Sequence, residues 1–359
     1  MKSDYHNNFI SDEQKNHAPL MLSGIGGVIY ATIVTVLSVL TTLCLETDGE
    51  RALLCLFVCI LFFAAAYFTL ALLIHDKLPL VIASYIVSIA GSFILTSDPA
   101  RSVMCTGAYV TAIAVWLFTR KKLLSYTGNI CLAASFGAWF FVVMLCTLAY
   151  RKYGSFGLDS LVRAYESFCE VILREPRATV LLLEAEATEE MAGFISNYKS
   201  LVATLEELLS LMIYSVPSLF LSICSVGGFA VVFGAKRHRA MAGLEDTVGR
   251  FEISVVSAVL FVVANLLTLF IDPITPIGIA LITVRAPLEL GLAFSGLIYG
   301  ISWIRKNNKN QMYYVIVVII AVMMPSVCVA LLAYLGAYRI VFLDRLRRLA
   351  EKKDREDRD

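Results

Sequence analysis

Charge is scarce in this chain. Asp, Glu, Lys and Arg make up 16% of its 359 residues, 58% are hydrophobic, and mean hydropathy is +0.76. A soluble domain is about a quarter charged, so the composition excludes an ordinary soluble globular protein. The charges nearly cancel, at +1, which leaves no global basic field for a nucleic acid. Histidine is scarcer still: the four, His6, His17, His75 and His238, all fall in predicted tails or loops. There is no His-Glu-x-x-His, no Gly-x-x-x-x-Gly-Lys-Ser/Thr and no Gly-x-Ser-x-Gly. Hydrolysis of ATP by a P-loop in this chain is therefore excluded. Paired acids or His/Glu ligands at membrane depth are also missing, so neither an enzyme nor a catalytic residue, metal or cofactor is expected. Nine cysteines are scattered, mostly in apolar runs, without a Cys-x-x-Cys or a His/Cys cluster. They read as small core residues.

What the chain has in abundance is apolar runs about 20 residues long, the length that crosses a bilayer as a helix. They are predicted at 21–45, 52–74, 79–97, 103–119, 129–150, 209–234, 253–271, 276–304 and 312–338. The expected fold class is all-α: a polytopic membrane helix bundle of eight or nine transmembrane helices with an acidic amphipathic helical insertion. Its segments are a polar N-terminal tail at 1–20, a first membrane helix group at 21–150, an extramembrane insertion at 151–208, a second group at 209–338 and a basic, charged C-terminal tail at 339–359. Asp4, Asp12, Glu13 and Lys15 precede the first run without a basic n-region. That run is expected to stay as a helix rather than leave as a signal peptide.

Orientation follows basic residues in short loops. Arg120-Lys-Lys122, Lys236-Arg-His-Arg239 and Arg305-Lys306 with Lys309 agree in parity and read as cytoplasmic. The insertion then lies outside the cell. Nine spans would put the basic tail Arg345-Leu-Arg-Arg348 outside too, against the rule. A cytoplasmic tail is expected, with 253–304 irregular because of Asp272, Pro273, Pro276, Arg285 and Pro287.

The insertion carries Glu166, Glu170, Glu175, Glu184, Glu186, Glu189, Glu190, Glu206 and Glu207. In its second half Met191, Phe194, Ile195, Tyr198, Leu201, Val202, Leu205, Leu208 and Leu209 recur at threes and fours, forming one apolar stripe. No breaker follows until Pro217, so one long helix is expected to run from the insertion into the membrane. The stripe reads as packing against Val180–Leu183 or as lying on the interface, and alternatively as a docking or lid surface.

Two sets of residues are candidates for a site. Arg285 and Glu289, at i and i+4, share a helix face inside an apolar run and can form an ion pair. The pair is read either as a snorkelling arginine neutralised by its neighbour or as the wall of a polar site for a solute or ion. Asn265 is placed to hydrogen-bond across to the same face, as interhelical glue or as a ligand group. The second set is a small-residue ridge, Gly27, Ala31 and Thr35, four residues apart on the first helix. It packs within its own bundle or receives a partner helix. Gly291 with Ser295 and Gly296 with Gly300 repeat the pattern. Pro217, Gly227-Gly228 and Pro325 are expected to mark bends.

Ser23-Gly-Ile-Gly-Gly-Val-Ile-Tyr-Ala31, the insertion running into Leu211-Met-Ile-Tyr-Ser-Val-Pro217, Gly291-Leu-Ala-Phe294, and Leu335-Gly-Ala-Tyr-Arg-Ile-Val-Phe-Leu-Asp-Arg345 follow one another in an order that resembles the YybS-like bacterial membrane proteins, a family of unknown function. That family is in turn similar to the substrate-binding S-components of energy-coupling-factor transporters. The resemblance implies a bacterial cytoplasmic (inner) membrane protein that captures a small-molecule solute. It also implies docking, through the Gly27-Ala31-Thr35 face, on a transmembrane coupling subunit driven by separate ATPases. The alternative is a non-transport membrane scaffold or accessory protein acting through its insertion and C-terminal tail.

Overall fold

A computed structural model describes residues 24–44, 54–121, 123–124, 126–154, 158–185, 191–241, 253–306 and 324–356. Among them every regular element is an α-helix. In chain order these are α1 (Gly24–Leu43), α2 (Leu54–Ile74), α3 (Leu78–Thr96), α4 (Pro99–Met104), α5 (Thr106–Arg120), α6 (Tyr126–Tyr153), α7 (Leu158–Ala185), α8 (Ala192–Met212), α9 (Val216–Met241), α10 (Val255–Leu267), α11 (Pro276–Lys306) and α12 (Pro325–Glu356). Seven segments are long and apolar enough to cross a membrane: α1, α2 from Phe57, α3, α4 with α5, α6, α9 to Ala235, and α11 to Ile301. These seven are compatible with a multi-pass membrane protein in a lipid bilayer. Two further apolar helices are shorter, Val255–Leu267 and Ser326–Phe342. With 13 residues, α10 reaches only about 20 Å at 1.5 Å per residue, against roughly 30 Å of hydrocarbon. The tail at 1–20 and the start of the predicted run at 312–338 lie outside the described residues.

Local chemistry sets the boundaries. Ser97 adopts a left-handed conformation (φ 52) and closes α3, its N–H donating to the Phe93 carbonyl. Asp98 then caps α4, accepting from the N–H groups of Ala100 and Arg101 with Pro99 in the first turn. Ser254 caps α10 through the Ser257 N–H. The predicted single helix through residue 209 is interrupted. α8 ends at Met212, Ile213–Ser215 form a turn, and α9 begins at Val216. Proline has no N–H to give to a preceding turn, so Pro217 suits the first turn of a new helix rather than the interior of an old one. Pro325 likewise stands in the first turn of α12; the part of the predicted run before it lies outside the described residues.

The chain divides into two compact units: residues 1–209 with 224–249, and residues 210–223 with 250–359. In the first, α2 is the central helix. Phe62, Phe63, Ala65, Ala66 and Leu70–Leu73 are all buried, as befits a helix apolar on every side. Glycines admit its aromatic rings: a Cβ at Gly137 or Gly227 would meet the Phe63 ring at 2.5 or 2.2 Å, and one at Gly234 would meet the Tyr67 ring at 2.5 Å. Gly228 lets α9 lie against the α6 backbone, since its Cβ would be 2.8 Å from the Ile130 carbonyl oxygen. The Gly227-Gly228 pair, expected to mark a bend, makes close packing within a helix that continues to Met241.

In the second unit, α10, α11 and α12 bury Ala258, Phe261, Leu292, Ala293, Ala333 and Ala337 in one cluster. α11 and α12 cross backbone to backbone at Gly296 and Gly336. A Cβ at Gly296 would stand 1.9 Å from the Leu332 carbonyl oxygen, and one at Gly336 2.1 Å from that of Leu292. By contrast, a Cβ at Gly300 meets only Leu335 Cδ2, at 4.0 Å.

Candidate functional site

α11 carries Arg285 and Glu289 through the middle of its span. By helix rise, Arg285 lies about 14 Å and Glu289 about 20 Å from the start at Pro276. The two are joined: Arg285 Nε donates to Glu289 Oε2 at 3.2 Å. Their side chains are 32% and 16% exposed, so the pair is neither sealed nor in the open. Pro287 sits between them within the helix. It supplies no N–H to the carbonyl of Thr283, four residues earlier. A carbonyl, a guanidinium and a carboxylate therefore lie within two turns of one helix, a polar site inside an apolar span.

Asn265 is on α10. Ile253, just before α10, meets α11 at Gly291, where a Cβ would lie 3.2 Å from Ile253 Cδ1, so the antiparallel pairing sets Asn265 about three turns away from Glu289 rather than on the same face as the pair. Asn265 Nδ2 donates to the Phe261 carbonyl of its own helix at 3.1 Å.

The ridge on α1 faces α3. Gly27 is buried, and a Cβ there would touch Leu80 Cδ1 at 3.0 Å. Thr35 Oγ1 donates to the Ala31 carbonyl at 2.9 Å and reaches the Ser84 carbonyl at 3.5 Å. Gly27, Ala31 and Thr35 lie along the seam between two helices of this chain.

Beyond Thr35 the seam becomes a polar ladder absent from the sequence reading. Ser84, Ser88 and Ser92 are buried on α3, and Ser38, Thr41 and Thr42 on α1. Thr42 Oγ1 donates to Ser92 Oγ at 3.0 Å. The Tyr109 hydroxyl of α5 lies 2.9 Å from Ser88 Oγ and donates to Ser84 Oγ at 3.4 Å. Tyr85 and Thr106 pair beside them, at 3.2 Å. The signal was present: Ser84, Ser88, Ser92 and Thr96 recur every fourth residue, which puts four hydroxyls on one helical face.

The ladder ends near Asp98. Its carboxylate caps α4 and pairs with Arg101 at 3.6 Å and with Arg151 of α6. Burial alone would raise its pKa, but the Arg151 hydrogen bond, the two backbone N–H groups and the Arg151 charge outweigh that and hold it low. A carboxylate with a depressed folded pKa stabilises the fold above its unfolded pKa, and that contribution disappears as pH falls through the folded value. Asp98→Ala is expected to lower stability by about 1–2 kcal/mol at pH 7, the size of a lost cap. In thermal melts the gap to wild type closes below about pH 4, under the ordinary carboxylate range. An equal gap at pH 7 and pH 3 would contradict the pairing.

A second group was also missed. His238, expected in a loop, lies within α9 and is buried. Its Nε2 is 2.9 Å from the Tyr67 hydroxyl, and its ring meets those of Tyr30 and His75 edge-on at 5.9 and 5.5 Å. α9 outruns its apolar span, which carries His238 into the packed end of α2. His75 Nε2 is buried with no hydrogen-bond partner among the described residues. Burial, then the Lys77 charge, lowers the pKa of His75 against an opposing push from Asp76, which favours the neutral ring. No group of three or more His, Cys, Asp or Glu suited to a metal occurs among the described residues.

No family model, no curated protein and no solved structure matches the chain.

Proposed function

We propose that this protein is a solute-binding transport subunit of a bacterial cytoplasmic membrane, similar to the S-component of an energy-coupling-factor transporter and without its own ATPase. The observation that carries the reading is the Arg285–Glu289 pair, half-buried in the middle of a membrane-length helix and split by Pro287. Charges at that depth are costly in lipid and mark solute or ion sites when they face a cavity or a partner helix. Arg285 is the group for an anionic part of a solute, and Glu289 holds it in place until the solute competes. α10, lengthened by the apolar turn Thr268–Ile271 whose N–H groups bond back onto it, and the apolar part of α12 bring the spans to eight or nine, with α7 and α8 as the extramembrane acidic insertion. Basic helix ends at Arg120, Lys236–Arg239 and Lys306 face the cytoplasm. Separate coupling and ATPase subunits supply the energy.

The test is native mass spectrometry of the detergent-purified protein. A small molecule is expected to accompany the wild type and to be lost, about tenfold or more, from Arg285→Ala, since a hydrogen bond between charged groups is worth about 1.5–3 kcal/mol. Equal retention by wild type and Arg285→Ala sinks this site.

The exposed apolar face of α8 favours a second reading, a membrane scaffold acting through its insertion and tail. Arg285→Ala and Glu289→Ala are then nearly silent, and charge reversal at Glu206 and Glu207 disturbs a partner.

A further inference from the structure

α8 holds an apolar seam that its own unit leaves open. Phe194, Tyr198, Leu201, Leu205 and Leu208 alternate at steps of four and three, the a/d pattern of a coiled coil. Phe194, Leu201 and Leu208, the d positions, are 59%, 66% and 54% exposed. The adjoining e positions, Ile195, Val202 and Leu209, are buried, and the Tyr165 hydroxyl of α7 donates to the Leu209 carbonyl at 2.6 Å. α7 thus fixes one flank of α8, leaving the d positions open and the a positions, Tyr198 and Leu205, half-buried at the edge of the seam.

Charge selects the occupant. The ionic groups of α8 next to α7 are engaged there: Lys199 with Glu184, and Glu206 with Arg177 at 2.7 Å. The g positions beside the seam, Asn197 and Thr204, are neutral. An identical helix therefore meets no like charge at the positions that flank the seam. Once α7 has taken the e positions, the apolar residues left on α8 recur every 3.5 residues on average, the spacing a facing helix matches.

We propose that α8 pairs with α8 of a second copy of this chain, parallel and in register. Three residues separate α8 from α9, whose first 20 residues are a candidate membrane span. Both copies are therefore anchored at the same end of α8, on the same membrane face, with the two-fold axis along the membrane normal. Confinement to the bilayer raises the effective concentration of the two seams, so a short coiled coil suffices. The inference holds whichever function is correct, because it uses none of the residues of the Arg285 site.

The test is disulfide trapping of the full-length protein in its native membrane, with the wild-type chain setting the background from the native cysteines. Leu201→Cys and Leu208→Cys are expected to give a covalent dimer under mild oxidation, about tenfold more than Ser196→Cys or Ser200→Cys, which point away from the seam. All four sites are exposed, so the substitutions leave folding intact. Equal trapping at Ser200→Cys, a product of mixed composition, or no product at either leucine position overturns the pairing. Trapping between co-expressed Phe194→Cys and Leu208→Cys chains, in place of the symmetric product, overturns the parallel register. Leu201→Glu with Leu208→Glu provides a second readout: single-molecule counting in nanodiscs should show the dimer fraction fall about tenfold from a pairing of a few heptads, and an unchanged fraction overturns the proposal.

Discussion

Gly336→Leu is expected to unfold the second unit at temperatures where the wild type is stable, and Gly336→Ala to do so partially. The Cβ of any residue at 336 would fall 2.1 Å from the Leu292 carbonyl oxygen and 3.0 Å from the Gly296 amide nitrogen. Both neighbours are backbone, so no side chain can swing aside. α11 and α12 would have to part by about 1 Å or more, which loosens the cluster of Phe261, Leu292 and Ala333 packed beside the crossing. Overpacking a close contact costs about 1–3 kcal/mol and more where nothing yields. Apolar side chains gain little by leaving lipid, so close packing is a main source of cohesion between membrane helices. Gly300→Ala is the control, because a Cβ there finds only Leu335 Cδ2 at 4.0 Å. Thermal melts of detergent-solubilised protein should order wild type with Gly300→Ala, then Gly336→Ala, then Gly336→Leu. A Gly336→Ala protein as stable as Gly300→Ala would refute the crossing.

Phe63→Ala should have the next largest effect. The Phe63 ring fills the notches of Gly137 on α6 and Gly227 on α9 and meets Phe62 edge-on at 5.2 Å. Its removal leaves a void bounded by three helices, and such truncations cost about 3–5 kcal/mol in packed cores. Gly227→Leu alone should be similarly harmful, because its Cβ would sit 2.2 Å from the Phe63 ring. The double variant is expected to recover about half of the loss, since the leucine occupies the space the phenyl leaves. Additive losses in the double variant would mean that the two side chains do not share that space.

How much of this was legible depends on the range of the interaction involved. The ends of α2, α3 and α11 follow from hydropathy and proline alone, and the sequence reading places them within a few residues. The pair Arg285–Glu289 was legible because i and i+4 neighbours lie on one helix. Asn265 was not: an amide in an apolar span can bond its own backbone or cross to a neighbour, and that choice depends on geometry beyond the helix. The Gly296–Gly336 crossing was half visible. Gly296 belongs to a small-residue ridge visible in the sequence, but nothing local marks Gly336 as what it meets. His238 was misplaced because its basic neighbours suggested a loop, while α9 continues through them to Met241.

The hydroxyl ladder has a consequence for how the protein is made. Several of its members already bond within their own helix: Ser88 Oγ donates to the Ser84 carbonyl at 2.7 Å, Thr35 Oγ1 to Ala31 and Thr41 Oγ1 to Leu37. A nascent α1 or α3 leaving the translocon therefore carries few naked hydroxyls into lipid and can be released as a single helix. Contacts such as Thr42–Ser92 and Tyr109–Ser88 then form by exchange after release. Biogenesis of the first unit need not wait for α5 before α1 and α3 are stable in the bilayer.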